Sequence, residues 1–266
     1  MVTGNDVFSF LNSLAPVSYQ MDFDNSGFLI GDRSKSVSHI LVSLDITEDV
    51  VREAETLGAE LIVSHHPLIF HKLSSVLADD PVQRKIMRLV RAGISAICMH
   101  TNLDIAYGGV NDALMDSIGA ETTDILEPTS QDADGRVLGC GRIGFLRQST
   151  QLDAFLAQLC ESLNVSGIRY VSADRPVHKV AVCGGSGGDL LEDAFRAGCD
   201  TLITADVKYD RFLTAKELGV NLIDADHFCT ENVVIPKLAA RLRDQFPDLK
   251  ISVSSLKQTA QFYAAR

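Results

Sequence analysis

From Ser38 onward the apolar residues switch again and again between a strand period and a helix period, and this alternation constrains the fold more than any other feature of the chain. HILVSLDI reads as a strand. TEDVVREAETLG reads as a helix capped by Thr47 and ended at Gly58, and ELIVSHH as the next strand. PVQRKIMRLVRAG places Pro81 in a first turn and sets Ile86, Leu89 and Val90 on one face, before ISAICMH returns as a strand. Such a βαβαβ order predicts an α/β fold with mainly parallel sheets, helices on the faces and right-handed crossovers. The polar, turn-rich stretch 127–136 (EPTSQDADGR) interrupts the pattern and is read as a boundary. It divides the chain into a first α/β domain, 1–126, and a second, 127–266, in which VLGCGRIGFL, QLDAFLAQLCESL, GIRYVS, KVAVCGG, DLLEDAFRAG, DTLITADV, FLTAKELG, NLIDADH and ENVVIPKLAARL resume strand and helix alternation.

A chain of 266 residues with 46% apolar and 22% charged residues can bury two ordinary cores. Its formal net charge of −11 opposes broad binding to a phosphate backbone, so no nucleic-acid polymer is expected as a partner. The N-terminus MVTGNDVFSFLNSLAP lacks the basic segment and continuous apolar core of a signal peptide, and no run approaches a membrane span. Six scattered cysteines without a Cys-x-x-Cys pair read as buried reduced thiols of a cytoplasmic protein.

The chemistry sits at the strand ends. ELIVS runs into His65 and His66, ISAICM into His100 with Asp104 four residues on, and NLIDA into Asp226 and His227 with Glu231 four residues on. In open α/β sheets ligands gather outside the carboxyl ends of the strands, which predicts that these residues converge. Adjacent histidines at a strand end point to different sides and suit two neighbouring ions, His65 on one and His66 on the other. The His-x-x-x-carboxylate elements then supply Asp104 and Glu231, one of which can bridge. With His227 these make five ligands, which leave coordination positions for water, and acidified water is the nucleophile a site of this kind offers. The donor set suits two divalent transition-metal ions, Zn, Fe, Mn, Co or Ni, without choosing among them. His100 and Lys208 are read as residues that support catalysis.

Other features weigh less. Cys183-Gly-Gly-Ser-Gly-Gly188 follows a strand and precedes a helix, but no Gly-Lys-Ser/Thr follows, so a tight turn is the stronger reading over a phosphate cradle. Asp206 and Lys208 follow another strand end. Cys229 lies between His227 and Glu231, where packing is the stronger reading. His39, His71 and His178 are assigned structural or solvated roles.

SHHP at 64–67, HTNLD at 100–104 and DADHFCTE at 224–231, together with GGSGG and TADVKYD, resemble the Nif-three-like family, also called the GTP cyclohydrolase I type 2 homolog family. The order and spacing of these motifs span nearly the whole chain. The resemblance implies a dinuclear site with His65, His66, Asp104, His227 and Glu231 as ligands and Glu231 as the bridge. It also implies two related α/β domains with the site in the cleft between them, and a toroidal homohexamer. The family commonly has glycine where this chain has Asp226, which is read as an additional ligand, a solvated side chain or, as the preferred role, an acceptor that orients His227, and Gly-Asp with a histidine within the segment seen here as ADVKYD. The chain is short for the family and is expected to lack an inserted domain. The implied activity is metal-dependent hydrolysis of a small molecule, with GTP as the candidate nucleotide, opened at its imidazole ring with release of formate. A phosphoester hydrolase and a non-catalytic metal-binding or scaffold protein are the alternatives.

Overall fold

The computed structural model describes residues 1–256, and the chain divides into two compact units, Tyr107–Val234 forming one and Met1–Ala106 with a C-terminal segment from Ile235 forming the other. The first unit opens with helix α1 (Gly4–Leu14), whose Thr3 and Asp6 form a reciprocal capping box. Strand β1 (Gly27–Ile30) follows, then the alternation expected from sequence: β2 (His39–Ser43), α2 (Glu48–Leu57), β3 (Leu61–Ser64), α3 (Pro81–Ala92), β4 (Ser95–Cys98) and the short α4 (Thr101–Ile105). Both long helices start and stop on local chemistry. Thr47 and Asp80 accept from backbone N–H groups of the first turn, and Gly58 and Gly93 close the ends with φ of 68° and 66°. Ile86 and Leu89 pack against Leu41, Ile62 and Ala96 in the core, whereas Val90 is 59% exposed and does not share their face.

The second unit holds α5 (Val110–Ser117), the long hairpin β5 (Ala120–Gln131) and β6 (Val137–Thr150), α6 (Leu152–Leu163), β7 (Arg169–Val171), β8 (Val177–Ser186), α7 (Leu191–Arg196), β9 (Thr201–Ala205), α8 (Tyr209–Leu218), β10 (Asn221–Asp224) and α9 (His227–Glu231). Its six-stranded sheet runs β5-β6-β8-β9-β10-β7, parallel across β8, β9 and β10 and antiparallel at both ends. The core beneath it is built from Val180, Val182, Ile203 and Ile223 against Phe155 and Leu159 of α6.

The chain then returns to the first unit through α10 (Val234–Gln245) and β11 (Lys250–Val253). β11 pairs in parallel with β2, completing a five-stranded sheet of order β1-β4-β3-β2-β11 in which only β1 is antiparallel.

The division therefore does not fall at 127–136, as the turn residues suggest. That stretch is the tip of the β5–β6 hairpin: Gly135 at φ 77° makes the turn, and Pro128 is tolerated because β5 is an edge strand. The chain crosses between units at Ala106/Tyr107 and again at Val234/Ile235.

Candidate metal centre

β3 delivers His65 and His66 at the end of a fully buried strand. Their backbone is pinned there, because His65 N–H donates to Leu44 O at 3.1 Å and His66 N–H to the same carbonyl at 2.9 Å. The neighbouring strand β4 ends two residues before His100, which occupies the N-cap position of α4; Asp104 follows one turn later on the same side. His65, His66 and His100 each offer a ligand nitrogen within 4.8 Å of the others. His65 Nε2 lies 3.7 Å from Asp104 Oδ1.

In the second unit α9 carries the other pair. Its five residues put His227 and Glu231 one turn apart, with Nε2 and Oε2 separated by 3.0 Å. Glu231 is buried beneath the glycine-rich turn: a Cβ on Gly185 would lie 2.2 Å from Glu231 Oε1, and Gly185 has φ of 63°. The turn is not a phosphate cradle. The amides of Gly184, Gly185 and Gly187 donate to Asn111 Oδ1, Thr230 Oγ1 and Thr204 Oγ1, at 3.0, 3.1 and 2.8 Å.

One device recurs at all four histidines. Nδ1 of His65 faces Met99 O at 2.8 Å, Nδ1 of His66 faces Asp45 Oδ1 at 2.8 Å, Nδ1 of His100 faces Asp24 Oδ1 at 2.6 Å, and Nδ1 of His227 faces Asp206 Oδ2 at 2.7 Å. A carbonyl or carboxylate only accepts, so Nδ1 carries the hydrogen and a neutral ring turns the lone pair of Nε2 the other way. Two such lone-pair nitrogens, on His65 and His227, point at carboxylate oxygens. A second proton on the ring, or a shared cation, is what joins acceptor to acceptor. Rings anchored at one nitrogen with the other aimed at a carboxylate are the arrangement that holds and tunes metal ions. Imidazole and carboxylate donors without thiolate fit Zn, Fe, Mn, Co or Ni. Burial pushes the Asp24 carboxyl up, but hydrogen bonds from His100 and Thr101 outweigh burial and hold it well below the usual carboxylate range. Burial, reinforced by Asp24 and Asp104, pushes the Cys98 thiol well above its ordinary value, so it stays protonated beside the His65 carbonyl.

Not every residue singled out in the sequence takes the role expected of it. Asp226 does not orient His227; its carboxylate caps α9 by accepting from Cys229 N–H at 3.0 Å, and Asp206 orients the ring instead. Lys208 is exposed at the N-cap of α8. Cys229 is buried in the apolar cluster of its unit. His39 bridges Leu57 O and Ser252 Oγ, a structural role, and His178 rests against Phe145. Asp24 and Asp45 escaped the sequence reading. Their only signal is position, Asp45 lying just beyond β2.

An α/β protein with imidazole–carboxylate pairs at its strand ends is the class that fold and site define. The sequence profile of the Duf34/NIF3 (NGG1p interacting factor 3) family matches residues 2–260, and the chain belongs to that family. A Clostridium perfringens protein named GTP cyclohydrolase 1 type 2 homolog is 35% identical over 252 residues, covering 94% of this chain and 95% of its own. A protein of the same name from Halalkalibacterium halodurans is 26% identical over 362 aligned residues that cover 96% of this chain and 97% of its own. It carries an insertion that this 266-residue chain lacks. The solved structure of a Bacillus cereus protein related to NIF3 is similar with a TM-score of 0.94 at 26% identity, over 99% of each chain.

Proposed function

We propose that this protein is a cytoplasmic hydrolase that works with two divalent transition-metal ions, held by His65, His66, Asp104, His227 and Glu231, and that its substrate is a purine nucleotide, with GTP as the candidate. The observation that carries the reading is the shared anchoring of the imidazoles, each with Nδ1–H fixed on an acceptor. Four separate acceptors holding four rings in one tautomer are hard to explain by folding alone, since any one histidine satisfies its hydrogen bonds in simpler ways. Bound divalent cations supply Lewis acidity toward a substrate oxygen and lower the pKa of water.

The chain's own residues set the geometry. Asp45 and Asp206 hold His66 and His227 in the ligating tautomer, and the Met99 carbonyl does the same for the buried His65. His100 stands outside the five ligands in this reading. With ionised Asp24 on Nδ1, its Nε2 is suited to take a proton from an attacking water and return it to a leaving nitrogen. GTP comes from the relatives' name, and the chemistry is consistent with hydrolysis. The imidazole-ring carbon of a purine is already at the oxidation level of formate. One water opens the ring to a formamide, and a second releases formate, with no oxidant required.

Incubation of the metal-loaded protein with GTP, with enzymatic detection of formate, tests the assignment. Formate from the wild type and none from His227→Ala supports it. Retained metal without formate rejects GTP, and a phosphodiester such as bis(4-nitrophenyl) phosphate then tests the phosphoester alternative.

A further inference from the structure

Two phenyl rings stand beside the imidazoles of the first unit where water rather than core would be expected to meet them. Phe23 is 65% exposed and Phe70 is 37% exposed, each on a loop. Neither loop is loosely held. Met21 N–H donates to Thr101 Oγ1 at 3.0 Å, Thr101 N–H donates to Asp24 Oδ2 at 3.0 Å, and Asn25 Nδ2 donates to Ile69 O at 2.6 Å, so Phe23 and Phe70 sit between fixed points of the same network that orients His100. Their rings form a continuous row with the cluster. Phe23 and Phe70 have centroids 6.4 Å apart, Phe70 and His100 5.9 Å, and His100 and His66 5.6 Å. Edge contacts at 68° to Phe23, 62° to His71 and 86° to His100 set the plane of the Phe70 ring.

Exposed aromatic rings pinned next to a polar, metal-type site fit a ligand with a flat apolar face and a reactive polar edge. We infer that Phe70 and Phe23 form a shelf for the planar heteroaromatic base of the substrate, Phe70 stacking on its face and Phe23, tilted at 68° to Phe70, meeting its edge. A ring laid on a phenyl face at the usual contact of about 3.5–4 Å stays within aromatic range of the neighbouring imidazole, which brings the edge of the base to the residues that would act on it. The shelf discriminates by shape. It rewards a planar base and gives nothing to a sugar phosphate alone. This inference rests on the nucleotide reading above and adds which residues read the base.

The test is equilibrium binding of guanosine, which has no phosphate for a metal to hold, to the protein as purified, with ribose as the non-planar control. Wild type, Phe70→Ala, Phe23→Ala and Phe70→Tyr are compared, with metal content and melting temperature recorded for each. The shelf predicts that guanosine binds and ribose does not, that Phe70→Ala weakens guanosine by about tenfold or more, and that Phe23→Ala weakens it less. Phe70→Tyr should bind like wild type, and metal content should stay constant throughout. Equal guanosine affinity in wild type and Phe70→Ala, or no guanosine binding by a metal-replete wild type, overturns the shelf while leaving the metal site standing. Phe70-dependent guanosine binding by a protein that makes no formate from GTP overturns the reaction and keeps the shelf. A change of oligomeric size in both alanine variants, with guanosine affinity unaltered, reassigns the rings to contact between copies and also overturns it.

Discussion

Asp226 sits at φ 71° and ψ 133°, a backbone conformation near one that glycine alone adopts freely. Here the carboxylate offsets the strain by capping α9. Asp226→Gly should therefore be nearly neutral, losing a cap worth only a few tenths of a kcal/mol against glycine while relieving strain. Asp226→Ala keeps the strain and loses the cap, and should cost about 1 kcal/mol in urea denaturation. Asp206 is the partner that matters for His227. Asp206→Ala should lower metal affinity by about 10- to 100-fold in calorimetric titration with little change in the apo-protein's stability. The imidazoles were legible in the sequence because they fall at strand ends. Their acceptors were not, since Asp24 meets His100 across 76 residues and Asp206 meets His227 across 21, and no local pattern ties either pair together.

At the scale of elements, the glycine-rich end of β8 serves Glu231. Gly185→Ala puts a methyl where Glu231 Oε1 lies and forces a positive φ on an L side chain. We expect loss of about 1–2 kcal/mol of stability together with loss of metal from the altered site, read by denaturation and elemental analysis of one sample. The turn between α2 and β3 shows a titrating clamp. Burial pushes Glu60 up, but the N–H groups of His39 and Ser38 outweigh it and hold its pKa below the ordinary glutamate value. A depressed carboxylate contributes stability above its unfolded pKa and loses it as the pH falls through the folded one. Glu60→Gln should be less stable than wild type at pH 7, and the gap should close in strongly acid solution. The alternation of β2 to β4 with α2 and α3 was readable because caps and glycines mark each end. The antiparallel β1 and the returning β11 were not, since their partners are far away in the chain and no local pattern announces either pairing.

For the whole molecule, membership of the Duf34/NIF3 family was legible from motif order alone, because each motif is tied to a strand end that the fold must keep. The division into units was not. Turn residues mark a hairpin tip as readily as a linker, and a domain completed by the C-terminal strand leaves no mark at the place where the chain departs. No helix among the described residues is long and apolar enough to cross a membrane. The resemblance read from the motifs implies a homohexamer, for which light scattering on a size-exclusion column should give six copies; a monomer at micromolar concentration contradicts it. The most direct test of the central claim is elemental analysis of protein purified without chelator, beside His65→Ala and His227→Ala. The account predicts about two transition-metal ions per chain, as two-metal hydrolytic sites hold, and a loss of metal in each variant. Wild-type protein that holds no transition metal, even after reconstitution, contradicts it.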